Sequence, residues 1–274
     1  CNSAEPWREA MNKEMQAEAS QYPNIRLLIT DAQQDNARQV ADVENFIVNE
    51  VDLLIISPNE AQPLTAVVEK AYHQGIPVIV LDRKILSDTY TTFIGADNVQ
   101  IGKAAGEYAA KLLNGKGRVV ELWGLKGSTP AVERHKGFIQ GIGSHPGIEI
   151  IYAQDGAWLR RRGREIMENA LQRFEKIDLV YAHNDPMAMG AFLAAQNAGR
   201  ADEIYFIGID GLPGPEGGVQ AVENGQLQAT FLYPTGGEQA IETALNILHG
   251  KEVPHQITLE TATIDSSNAG QYLE

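Results

Sequence analysis

The sequence predicts an α/β chain of two lobes, each a parallel sheet with helices packed on it. Three observations carry that prediction. Short runs rich in Val, Ile and Leu recur along the 274 residues without alternating with polar residues, as strands covered on both faces do. Longer stretches between them place apolar residues at helical spacing. The rhythm breaks near residue 96 and then resumes, which separates one set of strand–helix units from a second.

The elements follow in order. Pro6 to Tyr22 reads as a helix with Ala10, Met11 and Met15 on one face. In a doubly wound lobe that helix should follow a strand ending near Cys1, so a first strand is expected to be truncated upstream of residue 1. An initial cysteine also suits a lipid anchor, but a processing boundary is the preferred reading. Strands are expected over Ile25 to Thr30, Val51 to Ser57, Pro77 to Asp82 and Thr92 to Ala96. Further runs span Arg118 to Trp123, Ile148 to Ala153, Ile177 to Ala182, Ile204 to Asp210 and Ala229 to Tyr233, and Gln256 to Asp265 reads as a last strand. Helices are expected over Asp35 to Asn49, Leu64 to Gln74, Ile101 to Leu113, Ala131 to Ile142, Gly163 to Phe174, Met187 to Ala198 and Glu238 to Leu248. Gly75, Gly115, Gly199 and Gly250 stand at or near their ends, where a left-handed cap is favoured. The expected lobes are 1–96 plus 234–261, and 97–233 plus 262–274.

Composition removes several classes. The chain is 43% hydrophobic and 21% charged, ordinary for a folded protein. It carries 22 Lys and Arg against 36 Asp and Glu, a formal charge of -14, which disfavours nucleic acid and anionic membranes. No apolar run approaches the ~20 residues of a membrane helix. A single cysteine excludes an internal disulfide, and the six histidines lack metal-ligand spacing. No cofactor or metal is expected. Gly211 to Gly218 is Gly-rich but lacks the lysine of a P-loop.

Polar and aromatic residues gather at the carboxyl ends of the runs, where such folds bind ligands. Asp82 and Arg83 follow one strand, Asn184 another and Asp210 a third. Arg134 lies just inside a helix, Tyr233 ends a strand, Trp158 follows another, and Trp7 sits near the start. Each has a structural role open to it: Asp and Asn cap helices, Arg forms surface ion pairs, Trp fills cores. Their joint placement favours a ligand site. Carboxylates, guanidiniums and carboxamides offer several directed hydrogen bonds each, and indoles cover C–H patches, which together suit a monosaccharide. Arg160 could approach the same ligand beside Trp158.

The segments VDLLIISPNEAQPL, GIPVIVLDRKI, FIGADNVQIGKAAGEYAAKLL, VVELWGLKGSTPAVERHKGF, VYAHNDPMAMGA and FIGIDGLP resemble the type I periplasmic binding protein family, in its ribose-binding group. The resemblance implies two Rossmann-like lobes, a hinge of three crossings near Ala96, Tyr233 and Thr261, and closure on a sugar in the interlobe cleft. It implies ligand positions at Trp7, Asp82, Arg83, Arg134, Trp158, Asn184 and Asp210. Two departures alter the expected pocket wall. Tyr233 stands where the ribose group has Gln, and Glu5-Pro6-Trp7-Arg8 stands where it has Asn-Pro-Phe-Phe; Glu5 and Arg8 thereby join the candidates. The stretches LDRKILSDTY, GSTPAVERHKGF and YAHND are also similar to sugar-sensor domains of hybrid two-component systems, including a fructose-sensing type.

The resemblance thus implies a non-catalytic periplasmic domain that binds fructose or another pentose or hexose. Its partner would be a membrane-linked histidine kinase region or, alternatively, the permease of an ABC transporter; a homodimer is compatible with either. A sugar-responsive repressor and an enzyme are the remaining alternatives. The charge opposes the first, and no acid–base constellation supports the second.

Overall fold

The computed structural model describes residues 5–273, so Cys1 lies outside the described residues. Chain order begins with α1 (Pro6–Ser20), α2 (Asn36–Val48), β1 (Leu54–Ile56), α3 (Ala61–His73), β2 (Val78–Leu81) and β3 (Thr92–Ala96). It continues with α4 (Asn98–Leu112), β4 (Lys116–Trp123), α5 (Thr129–Ile142), β5 (Gly147–Asp155), α6 (Arg160–Arg173), β6 (Leu179–Ala182), α7 (Asp185–Asn197), β7 (Tyr205–Asp210), α8 (Gly218–Glu223) and β8 (Ala229–Leu232). The chain ends with α9 (Gly237–Leu248), β9 (Gln256–Leu259) and β10 (Thr263–Asp265).

The chain divides into two compact units. The first comprises Cys1–Ala96, Gly127–Thr129 and Thr235–Leu259; the second comprises Asp97–Lys126, Pro130–Pro234 and Glu260–Glu274. Each has its own sheet. In the first unit the order is β1-β2-β3-β9, all parallel. Its core joins Leu54, Ile56, Val78 and Val80 from the strands to Leu64, Val67, Val68 and Ala71 of α3 and to Val43 and Ile47 of α2. In the second unit the order is β10-β8-β7-β6-β4-β5, parallel except for the antiparallel β10–β8 pair. Val120, Leu122, Val180 and Phe206 pack there against Ile166, Met167 and Ala170 of α6 and Met187, Ala188 and Ala191 of α7. The wholly buried strands β2 and β6 are unbroken apolar runs, as parallel strands covered on both faces require.

Local chemistry sets the helix ends. Asp35 accepts from the Arg38 amide at 3.0 Å, and Asp97 accepts from the Val99 and Gln100 amides at 2.9 and 3.0 Å. Gly75 after α3 and Gly199 after α7 have φ of +85° and +68° with open space around them. Backbone conformation rather than crowding therefore asks for glycine at both.

Three expectations need correction. Ile25 to Thr30 forms no strand; it runs without regular structure, with Leu28 and Ile29 largely exposed. Apolar content marks a candidate strand, but a ladder partner makes one, and none pairs with this segment among the described residues. Gln256 to Asp265 is two strands rather than one. β9 pairs with β3 in the first sheet and β10 with β8 in the second, with the break at 260–262. The short α8 was missed, because its six residues are too few to show a helical stripe.

Candidate functional site

Each unit carries a buried cluster of charged and aromatic side chains at strand ends. In the first unit the cluster grows from the end of β2. Asp82 leaves the strand with φ of +66°, so the chain turns sharply and its carboxylate faces inward. It forms an ion pair with the Arg8 guanidinium from the first turn of α1 and accepts from Ser57 Oγ at 3.2 Å. Arg8 also donates to Ser57 Oγ at 2.8 Å, which closes a triangle. Arg83 brings its Nε within 3.7 Å of the same carboxylate and donates to the Asn59 carbonyl at 2.9 Å. Arg8, Asp82 and Arg83 are all at most 5% exposed. The Arg8 guanidinium lies 5.0 Å from the centre of the Trp7 ring. Asn59 is itself fixed, its amide nitrogen donating to the Gln34 carbonyl at 3.1 Å and to Asn36 Oδ1 at 2.8 Å. Glu5, just ahead of α1, accepts from Gln34 Nε2 at 3.4 Å.

In the second unit Arg134 of α5 is the hub. Its Nε donates to Asn98 Oδ1 at 2.8 Å, and its Nη1 donates to the His183 carbonyl. Its guanidinium lies 4.6 Å from the Tyr233 ring centre and 5.4 Å from that of Trp158. Two flat aromatic faces and two acceptors thus hold one planar cation in place. Trp158 has φ of +70°, and a Cβ on Gly124 would come within 2.2 Å of its indole, so glycine at 124 leaves room for the ring. Asn184 caps α7 through a 3.1 Å bond from the Met187 amide and donates to the Trp158 carbonyl at 3.0 Å. That cap is the structural role the sequence allowed, and it leaves the carboxamide one further N–H and spare lone pairs. Asp210 ends β7 with φ of +143°, and its carbonyl accepts from the Tyr233 amide at 3.0 Å.

Behind this cluster lies a second polar layer. Glu121 of β4 is wholly buried and accepts from the imidazoles of His135, at 2.9 Å, and His183, at 3.0 Å. The Gly124 amide donates to His183 Nδ1 at 3.2 Å, which places the ring hydrogen on Nε2, facing Glu121. Burial pushes the Glu121 carboxyl up, but the two imidazole hydrogen bonds outweigh it and bring it down to about 2. Burial lowers the His183 pKa, with its bond to Glu121 opposing.

The structure brings Trp7, Asp82 and Arg83 together with Arg8 in one unit, and Arg134, Trp158, Asn184 and Tyr233 together in the other, with Asp210 bonded to Tyr233 through the backbone. Arg160 stands apart from both; it pairs with Glu216 at the surface. Ser57, Asn59, Glu121 and His183 were missed. Glu121 carried a signal, being a charged residue inside the apolar run VVELW. No group of three or more His, Cys, Asp or Glu among the described residues is arranged to hold a metal ion. No helix among them is long and apolar enough to cross a membrane.

Comparison with known proteins places the chain in a family. The family described as periplasmic binding protein domain matches residues 1–252. The ribose import binding protein of Escherichia coli (strain K12) is 35% identical over 229 residues, covering 83% of this chain and 76% of its own length. A solved fructose binding periplasmic domain of a hybrid two-component system superposes with a TM-score of 0.97 at 48% identity, covering 99% of this chain and 91% of that one. An ABC transporter solute binding protein from Bacillus halodurans C-125, solved with myo-inositol, gives 0.94 at 30% identity, covering 99% and 94%.

Proposed function

The chain belongs to the periplasmic binding protein family, and from that premise we propose that it binds a monosaccharide. Members of the family are non-catalytic ligand binders. Fructose is the first candidate ligand, and the sensing part of a periplasmic hybrid two-component signalling protein is the proposed role. The observation that carries the reading is the chemistry of the two clusters. Each sets guanidinium against acceptor groups and adds an aromatic face, the combination that a ring of hydroxyls with C–H patches requires.

We assign Trp7, Asp82 and Arg83 from the first unit, and Arg134, Trp158, Asn184, Asp210 and Tyr233 from the second, to ligand contact. Arg8 and Glu5 support the first cluster. Sugar would favour one conformation of the chain over another, and that difference in affinity is the energy available for signalling. The likeness to a fructose-binding sensor domain supports the sensor reading. The likeness to an import binding protein and to an ABC transporter solute binding protein supports a second one, in which the same site serves an ABC permease.

Calorimetric titration with fructose, ribose, galactose and arabinose tests the proposal. Heat is expected with fructose. Asp210→Ala and Arg83→Ala should each weaken binding by at least about tenfold, since a charge-assisted hydrogen bond contributes roughly 1.5–3 kcal/mol. No heat with any of the four sugars refutes the sugar reading, and unchanged affinity in both variants refutes the assigned site.

A further inference from the structure

Beneath Asp210 lies a carboxylate that neither cluster uses. Asp185, in the first turn of α7, is 2% exposed. Its Oδ1 and Oδ2 lie 2.7 and 2.8 Å from Thr230 Oγ1 of β8, and Oδ2 accepts from the Gly211 amide at 2.9 Å. That amide also reaches Thr230 Oγ1 at 3.1 Å. One hydroxyl hydrogen and one amide hydrogen are thereby shared within a closed triangle. The cradle is cut to fit. A Cβ on Gly208 would come within 2.2 Å of Oδ1, and one on Gly218 within 1.9 Å of Oδ2. Four segments, from β7, β8, α7 and α8, therefore converge on a single carboxylate.

Gly211 is the residue directly after Asp210, and the pair has φ of +66° and +143°. Glycine adopts the first of these freely, but φ of +143° is costly for a residue with a Cβ. Such a turn persists when surrounding groups over-determine it, and the Gly211 amide is the handle by which this one is held. We infer that Asp185 is a positioning residue: with Thr230 it locks the Asp210–Gly211 turn and so sets the affinity of the site for its sugar. The inference rests on the proposed function for the identity of the ligand, and on hydrogen-bond geometry for the lock.

The charges around Asp185 are few. α5 contributes Arg134, whose field favours the carboxylate, and β7 contributes Asp210; β8 and the start of α8 contribute Thr230 and Gly218, which do not titrate in this range. Burial raises the Asp185 carboxyl to about 6, with the bonds from Thr230 and Gly211 opposing.

The test combines affinity with a direct view of the amide. Asp185→Ala should weaken sugar binding by about tenfold or more. Asp185→Asn keeps an acceptor for the Gly211 amide and should recover affinity to within a few-fold of the parent. A residue that only stabilised the fold would shift melting temperature in both variants without this split. In amide-resolved NMR, the Gly211 resonance should titrate with a midpoint near 6 in the parent and not in Asp185→Asn. If Asp185→Ala does not fold, Thr230→Val, which removes only the hydroxyl, should show the same direction of loss. Unchanged affinity in a folded Asp185→Ala or Thr230→Val, or a Gly211 amide blind to pH, overturns the lock. A parent that binds none of the sugars overturns the proposed function instead, and the Gly211 titration then decides the lock alone.

Discussion

Replacing Glu121 by Gln isolates the charge at the centre of the buried His135–Glu121–His183 arrangement. The shape is kept and the carboxylate is lost. In the parent, folding brings this carboxyl from 4.5 down to about 2 against a burial penalty that pushes the other way. That drop corresponds to about 3 kcal/mol in favour of the ionised folded state. A glutamine retains one acceptor, good for one imidazole, and turns its amide group toward the other. The expected net loss is therefore about 2 kcal/mol, or ~4–8 °C in melting temperature for a domain of this size. The pH dependence is the sharper check. A carboxyl depressed on folding stabilises fully above its unfolded value, and the contribution drains away as the pH falls through about 2. Melts of parent and variant followed by circular dichroism should differ most near about pH 7, and the gap should have narrowed by about 1 kcal/mol near about pH 3.5. A gap of the same size at both values would mean that shape, not charge, holds the two imidazoles.

Two further substitutions probe the clusters separately. Arg8→Ala strips the buried Asp82 carboxylate of its main ion-pair partner and should cost about 3 kcal/mol of stability, read as a lower denaturant midpoint; a loss under about 1 kcal/mol would show that Arg83 and Ser57 suffice. Gly102→Ala puts a methyl 2.2 Å from the Arg134 carbonyl and must push α4 from α5, so both melting temperature and sugar affinity should fall, and a variant that matches the parent in both would refute the close packing of α4 on α5.

How far the sequence could be read follows from which forces are local. β2 and β6 announced themselves, because a strand covered on both faces must be apolar throughout, and that demand is met residue by residue. The cap at Asn184 was equally visible, since an N-cap bonds amides two or three positions away. Ile25 to Thr30 is also rich in Ile and Leu and forms no strand, because pairing depends on a distant partner. The β9–β10 division was hidden for a related reason: each half answers to a different sheet. Among the polar residues, Asp82, Arg134 and Asp210 stand out in the sequence by their position at strand and helix ends. Ser57, Thr230 and Asp185 look like ordinary turn or cap residues until their partners, 25, 45 and 26 positions off, are known.

The pairing of charges also bears on what the ligand is. In the first unit Asp82 lies against Arg8 and Arg83; in the second Arg134 is held by a neutral amide, a carbonyl and two rings, with Asp210 and Asp185 on neighbouring strand and helix ends. Neither cluster presents a row of backbone amides or a group of cations with no carboxylate nearby, which a phosphorylated sugar would need to offset its charge. A chain with a formal charge of -14 would in addition repel such a ligand at a distance. A neutral polyol meets neither obstacle. It can replace hydrogen bonds to water with bonds to ionised groups already balanced by their neighbours, so binding it adds no charge to the interior, and the cost of having buried those charges was met when each unit folded.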